Sequence, residues 1–371
     1  MTKDKAQYFP ILDGVRGFAA LFVCFAHFMQ VDEQAMYENK ILGSFIFKIS
    51  ELGLSGVHLF FVLSGFLITK ILLDNRKSEK YFISFYGRRM LRIFPLYYFT
   101  LIVSLLIFPL FVEVDAPGKE ILDNQVWLWT YLMNAVESVW DISSVLPMFG
   151  HYWSLCVEEH FYLFWPFLIY FIPNKYLKKT FLFVIGLSLF SLFGSYLISN
   201  SIWIFTWTTI RYIGALAIGG IISLYFSEQK LTKLVRVSNW GIYVFGILSI
   251  GILFLPRYMN LADMGFWCTV FFYAFLVVKC INNEKTVSKV FQNKSLIFLG
   301  KISYGLYVYH GLLRPFFKTL LKEPVFNLFG NAIISSIIYF IVCTAITTGI
   351  AYISWILMEQ PILRLKKKFN Y

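Results

Sequence analysis

Hydrophobic and polar positions in this chain alternate in long blocks rather than residue by residue. Ten apolar runs of about 20 residues each fall at roughly 11–30, 53–73, 95–113, 151–172, 180–199, 207–227, 238–256, 264–281, 296–318 and 332–358, with short polar segments between them. A helix rises ~1.5 Å per residue, so each run is long enough to cross ~30 Å of hydrocarbon. In that solvent each backbone N–H and C=O must find its partner inside the protein, and a lone run does so only as a helix. The stretch 125–140 is aromatic but half polar and reads as interfacial. The pattern predicts an all-α, polytopic membrane bundle of about ten helices, forming one transmembrane domain over 1–371 with no appended soluble domain. No cleavable leader is expected, because the first run holds Arg16 and His27 and lacks a small-x-small cleavage site.

Composition agrees with that solvent. Of 371 residues, 58% are hydrophobic, 20% aromatic and 15% charged, with a mean hydropathy of +0.66. Soluble domains carry about 25% charged residues. The net charge of +12 does not point to nucleic acid, since the basic residues recur between apolar runs rather than gathering on one surface. They follow membrane orientation instead. With the N-terminus inside, and with Arg211, Lys279, Arg314 and Lys318 near the run ends counted with the adjoining connections, the inner segments hold 22 Lys and Arg against 8 outside, which predicts both termini cytoplasmic in a multi-pass protein of the cell (inner) membrane. Arg314, Lys318 and Lys322 break the pattern by making the connection after the ninth run basic, whereas the connection over 114–150 is acidic. Cys24, Cys156, Cys268, Cys280 and Cys343 all lie in or beside apolar runs without a CxxC pair, and read as buried free thiols with no metal site.

Ionisable groups inside a membrane are costly and tend to face cavities or one another. Here their depths agree: His27 near the outer end of the first run, His58 at the outer start of the second, Glu158, Glu159 and His160 inside the outer end of the fourth, and His310 in the outer half of the ninth. Arg16 and His27 are eleven residues apart, about three turns, and share a stripe. So do His151, Ser154, Glu158 and Tyr162, and so do Ser303, Tyr307, His310 and Arg314. On the second run Gly65 is able to admit a close neighbour. Glu159 and His160 point elsewhere, suited to holding helices together. On the inner side, Arg88, Arg89 and Arg92 precede the third run; their guanidinium forks match phosphate geometry, although lipid phosphates and the positive-inside bias also account for basic loops. No Walker or dinucleotide glycine pattern is present.

Leu12-Asp-Gly-Val-Arg-Gly-Phe-Ala-Ala20 with His27, Gly56-Val-His-Leu-Phe-Phe-Val-Leu-Ser-Gly-Phe-Leu-Ile68, Arg88-Arg89…Arg92-Ile-Phe-Pro95, Tyr152-Trp-Ser-Leu-Cys-Val-Glu-Glu-His-Phe-Tyr162 and Leu299-Gly-Lys-Ile-Ser-Tyr-Gly-Leu-Tyr307, closed by Met358-Glu-Gln-Pro361, occur in an order that resembles the membrane acyltransferase-3 family over essentially the whole chain. The resemblance implies a ten-helix enzyme that moves an acyl group, typically acetyl, from acyl-CoA to a hydroxyl of an envelope polysaccharide, lipid-linked glycan or glycolipid. It implies that His27 is catalytic, that Arg16 is its motif partner, and that Arg88, Arg89 and Arg92 serve the donor. Trp153, Ser154, Tyr304 and His310, within or beside the shared motifs, are taken as donor- or substrate-binding. His160 departs from the family, which more often has glutamine there. The hydrolase-like domain that some members carry is not expected, so the protein is expected to act alone or with separate partners.

The chemistry expected is acyl transfer from a thioester to an alcohol, with His27 as general base and Glu158 orienting it or stabilising its imidazolium. A covalent acyl-His27 intermediate is the other route left open. Acyl-CoA enters as co-substrate, with no tightly bound cofactor. The acceptor, the acyl chain and the oligomeric state are not readable. Two other readings use the same buried groups: a proton-coupled transporter or exporter of a glycan or small molecule, and a non-catalytic partner in an envelope assembly complex.

Overall fold

The computed structural model describes residues 9–32, 40–110, 119, 122–136, 148–197, 204–255 and 262–371, and every regular element among them is helical. The long helices are α1 (Pro10–Met29), α2 (Lys40–Leu52), α3 (Gly56–Asp74), α4 (Tyr81–Leu101), α5 (Tyr152–Phe171), α6 (Asn174–Leu197), α7 (Ile204–Ser227), α8 (Leu231–Leu253) and α9 (Ala262–Ile281). After them come the short α10 (Lys285–Phe291) and α11 (Lys294–Lys301), then α12 (Ser303–Phe329) and α13 (Ala332–Ser354). Among the described residues, seven helical stretches are long and apolar enough to cross a membrane, or eight if the bent pair α11–α12 counts as one span. α5, with Glu158 and Glu159 in its middle, and α6 are not among them. The chain is a multi-pass helical membrane protein. Large apolar side chains face outward as lipid contact requires, among them Trp240 at 79% and Ile247 at 71% exposure on α8.

Three sequence expectations are corrected. The third helix begins at Tyr81, not near 95, so Arg88, Arg89 and Arg92 lie within it rather than ahead of it. Tyr81 and Phe85 give that first part a buried face, and long arginine stems lie along apolar surface while their heads reach polar partners. The ninth run extends to Phe329 through Pro315 and Pro324, so Arg314, Lys318 and Lys322 sit on α12 and not in a connection; Lys322 pairs with Asp32 at 2.8 Å. That run is also broken, with α11 and α12 meeting at 72°. α2 was not anticipated. Within 125–140, short helical turns occur at Val126–Trp129 and Met133–Val136, while Glu113, Asp115, Glu120, Glu137 and Asp141 of the acidic outer connection lie outside the described residues.

The chain divides into two compact units, Met1–Leu67 with Ile218–Ala351, and Ile68–Ala217 with Tyr352–Tyr371. In the first, α1 is buried on most of its circumference, with Leu12, Val15, Ala19, Val23, Cys24 and Phe28 at 0–1% exposure. A Cβ added at Gly14 would stand 1.8 Å from the Phe291 carbonyl oxygen, one at Gly17 2.0 Å from that of Leu296, and one at Gly300 1.8 Å from that of Asp13. The backbones of α1 and α10–α11 therefore touch. Lipid tails are as apolar as leucine, so helices in a membrane gain from such close approach rather than from hydrophobic burial. Gly65 serves a similar contact, its carbonyl carbon standing 2.9 Å from a Cβ added at Gly219.

In the second unit the Tyr81 hydroxyl donates to the Pro166 carbonyl at 3.0 Å and Trp165 Nε1 to Thr69 Oγ1 at 2.8 Å. Arg76 donates to the carbonyls of Tyr170 and Ile172 at 2.9 and 2.6 Å, supplying donors and positive charge where the end of α5 leaves carbonyls without helical partners.

Gly300→Ala is expected to destabilise the protein by about 2 kcal/mol or more, because backbone and not a side chain must give way. Gly349→Ala, with nothing within 4 Å of the added carbon, serves as the tolerated control. Thermal unfolding of both variants in detergent checks this; a Gly300→Ala midpoint equal to that of the control would refute the contact.

Candidate active site

The site groups on the first unit start from α1. Arg16 is held by Asp13 at 3.3 Å, one turn back on the same helix, a spacing legible in the sequence but not exploited there. Three turns further on, His27 is partly accessible while its neighbours Ala26 and Phe28 are at 0%. Its Nδ1 lies 3.0 Å from Nε2 of His310 on α12, across 283 positions of sequence. The ring planes are inclined by 24° and the centroids stand 5.0 Å apart, close to the nitrogen separation plus the two ring radii, so the rings meet edge to edge. His310 is wholly buried at 0%. Its Nδ1 faces the Tyr307 carbonyl one turn back, and the rings of Tyr307 and Phe28 flank it with centroids at 5.2 and 6.5 Å. Tyr304 is half-buried in the first turn of α12. His58 bonds elsewhere, to Thr269 Oγ1 on α9 at 2.7 Å, with Phe266 edge-on to its ring.

The second unit holds the other predicted groups. Glu158 accepts a hydrogen bond from the Tyr162 hydroxyl at 3.0 Å, so two members of the predicted stripe do meet. The Tyr162 ring in turn carries the Arg89 guanidinium 5.4 Å above its centroid, with Phe85 contributing a second face at 5.8 Å. Ser154 is buried and donates to the His151 carbonyl at 3.1 Å. Trp153 packs against Tyr212 with ring centroids 4.6 Å apart. His160 bridges α5 to α7 through Thr209 Oγ1 at 2.9 Å. Glu159 buries its Oε1 without a hydrogen-bond partner among the described residues.

The arginine cluster is tied to the C-terminal segment, which no sequence signal announced. Arg88 donates from Nε to the Phe369 carbonyl at 2.6 Å and from Nη2 to Asn370 Oδ1 at 3.1 Å, and lies 5.3 Å over the Tyr371 ring. Gly87 makes room, since a Cβ there would meet the Phe369 ring at 2.3 Å. The two hydrogen bonds use two of the guanidinium's five N–H donors. Burial pushes the Tyr371 phenol above its ordinary value, with Arg88 and Arg89 acting in the opposite direction. Arg92 exerts its charge on buried Glu359, which also accepts from Ser354 Oγ at 3.3 Å. That gives the Met358-Glu-Gln-Pro361 motif a structural role.

A family model described as an acyltransferase domain matches residues 9–356. The chain belongs to the membrane acyltransferase-3 family. Among curated members of that family, it is 27% identical to the peptidoglycan O-acetyltransferase OatA of Listeria monocytogenes over 97% of this chain and 57% of that protein. It is 25% identical to the O-acetyltransferase OatA of Staphylococcus aureus, over 96% of this chain and again 57% of the relative. The chain thus spans under two thirds of the length of the curated relatives it matches. No solved structure matches it.

Arg88→Ala is expected to release the terminal segment. Losing two hydrogen bonds to a charged donor should speed amide exchange at 369–371 at least about tenfold. Unchanged protection by hydrogen-exchange mass spectrometry would show that Arg88 does not hold it.

Proposed function

We propose that this protein is an O-acyltransferase of the cell membrane that moves an acyl group, acetyl in the simplest case, from cytoplasmic acyl-CoA to a hydroxyl of an envelope carbohydrate or glycolipid. The observation that carries the reading is the contact between His27 and His310, in a chain whose family membership covers residues 9–356. It sets a partly accessible imidazole against a buried one, which is the arrangement a general base needs: a reachable nitrogen and a fixed ring. The relatives' names, peptidoglycan O-acetyltransferase in one case, favour a glycan hydroxyl as acceptor.

In this reading the acceptor oxygen attacks the thioester carbonyl carbon while His27 takes the hydroxyl proton. A C–O bond forms, the C–S bond breaks, and the proton returns from His27 to the departing thiolate, leaving ester and free thiol. Glu158 supplies the negative charge that stabilises the imidazolium so formed. Phosphates of the donor are met by Arg89, Arg92 and the remaining N–H groups of Arg88, while Arg16, Trp153, Ser154 and Tyr304 are assigned to donor or substrate binding. The topology that suits this has ten crossings and both termini in the cytoplasm, α5 and α6 crossing beside the more apolar helices, since a bundle interior shelters polar residues such as Glu158.

His27→Ala is expected to lower transfer from acetyl-CoA at least about 100-fold while the protein still inserts and elutes as folded in detergent. Arg88→Ala should raise the acyl-CoA KM about tenfold. Purified protein in detergent, without a sealed compartment, is the assay: turnover there supports an enzyme, and activity only in sealed vesicles supports a transporter. Full activity of the His27 variant, or an unchanged acyl-CoA KM for the Arg88 variant, removes that residue from its role.

A further inference from the structure

The hydrogen bonds around His310 constrain where protons sit. A carbonyl oxygen only accepts, so His310 Nδ1, which faces the Tyr307 carbonyl, carries a hydrogen. His310 is taken as neutral: it is wholly buried, and Arg314, one turn on, is already a cation on the same face of α12. In a neutral imidazole with Nδ1 protonated, Nε2 is an acceptor. That Nε2 is the atom facing His27 Nδ1 at 3.0 Å. The His27 nitrogen must then donate, and a neutral His27 with hydrogen on Nδ1 has its lone pair on Nε2.

We infer that His310 is a positioning residue that holds His27 in the Nδ1–H tautomer through the chain Tyr307 carbonyl, His310 and His27, presenting Nε2 as the proton-accepting nitrogen. The catalytic consequence rests on the general-base reading of His27; the tautomer does not. In hydrolases of the serine type a buried carboxylate holds the base histidine through Nδ1–H. Here a second imidazole occupies that position, anchored by a helix carbonyl instead of a charge. The choice suits a membrane interior, where a neutral acceptor avoids the several kcal/mol that an ion costs. When His27 takes the acceptor proton on Nε2, it becomes an imidazolium that still donates from Nδ1 to His310, so the contact persists through the cycle without a second proton transfer.

Two substitutions separate this role from a packing role. In His310→Gln the side-chain amide reaches the position of Nε2 and offers His27 an acceptor. In His310→Asn the shorter amide reaches only the position of Nδ1, so it keeps the bond to the Tyr307 carbonyl and abandons His27. The inference predicts that His310→Asn loses about 100-fold or more in kcat with little change in acyl-CoA KM, the pattern of a misplaced tautomer, and that His310→Gln retains far more. Ring-15N histidine spectra of the intact protein in bilayers report the protonated nitrogen directly. The chain has five histidines, and the His27→Gln spectrum identifies the signals that belong to His27.

Hydrogen on His27 Nδ1 in the unsubstituted protein, kept in His310→Gln and lost or mixed in His310→Asn, supports the inference. Hydrogen on Nε2 of His27 in the unsubstituted protein overturns it, as would a His310 imidazolium donating from both nitrogens, and as would a kcat for His310→Asn equal to the unsubstituted value. Full transfer by His27→Ala, by contrast, removes the catalytic reading and leaves the tautomer where the spectra place it.

Discussion

The contact of α1 with α10–α11, backbone against backbone, is the constraint on which the first unit depends. Gly14 and Gly17 on one side and Gly300 on the other remove the side chains that would hold the helices apart. In lipid there is no hydrophobic gain from bringing two apolar helices together, so van der Waals contact at this range supplies the attraction. Fixing α11 against α1 has a second effect. The chain turns by 72° between α11 and α12, so that α12 departs from the point where α11 is anchored and carries His310 to His27. The two imidazoles are neighbours because three glycines and one bend set the helices that bear them.

The polar side chains of this unit show how a membrane protein handles ions and rings it cannot leave bare. Arg16 has Asp13, Lys322 has Asp32, Lys279 has Glu284 at 2.6 Å, and His58 has Thr269. At a wetted surface such ion pairs contribute at most about 1 kcal/mol. In hydrocarbon the alternative is an unsatisfied charge costing several times more, so the partner is chiefly what makes the position tolerable. The two site histidines follow the same economy with neutral groups, each ring nitrogen at their contact meeting a partner of opposite role.

The second unit uses arginine differently. Arg76 completes the end of α5, Arg88 anchors the C-terminal residues, Arg89 lies on two aromatic faces and Arg92 acts on Glu359. One planar cation serves four kinds of contact because its fork donates in several directions and its flat face stacks. The arginines read as a phosphate clamp therefore also hold structure, and the two roles are compatible while donors on the same guanidinium are left over.

Much was legible in the order of residues alone. Block hydropathy determined the all-helical membrane class, because length and apolarity are local properties that the bilayer reads directly. The motif series pointed to the family, and the depth of His27 and His310 along their runs anticipated that they lie at one level. Local pattern misled where charge stood in for position: Arg88, Arg89 and Arg92 read as lying ahead of the third helix and are part of it, and Arg314, Lys318 and Lys322 read as a connection and continue α12. The pairing of His27 with His310, the purpose of Gly14 and Gly300, and the seat of Phe369 beside Gly87 were decided only by the tertiary structure. Each depends on which helices become neighbours, and that choice is made by surfaces hundreds of residues apart, for which no spacing along a single chain is a measure.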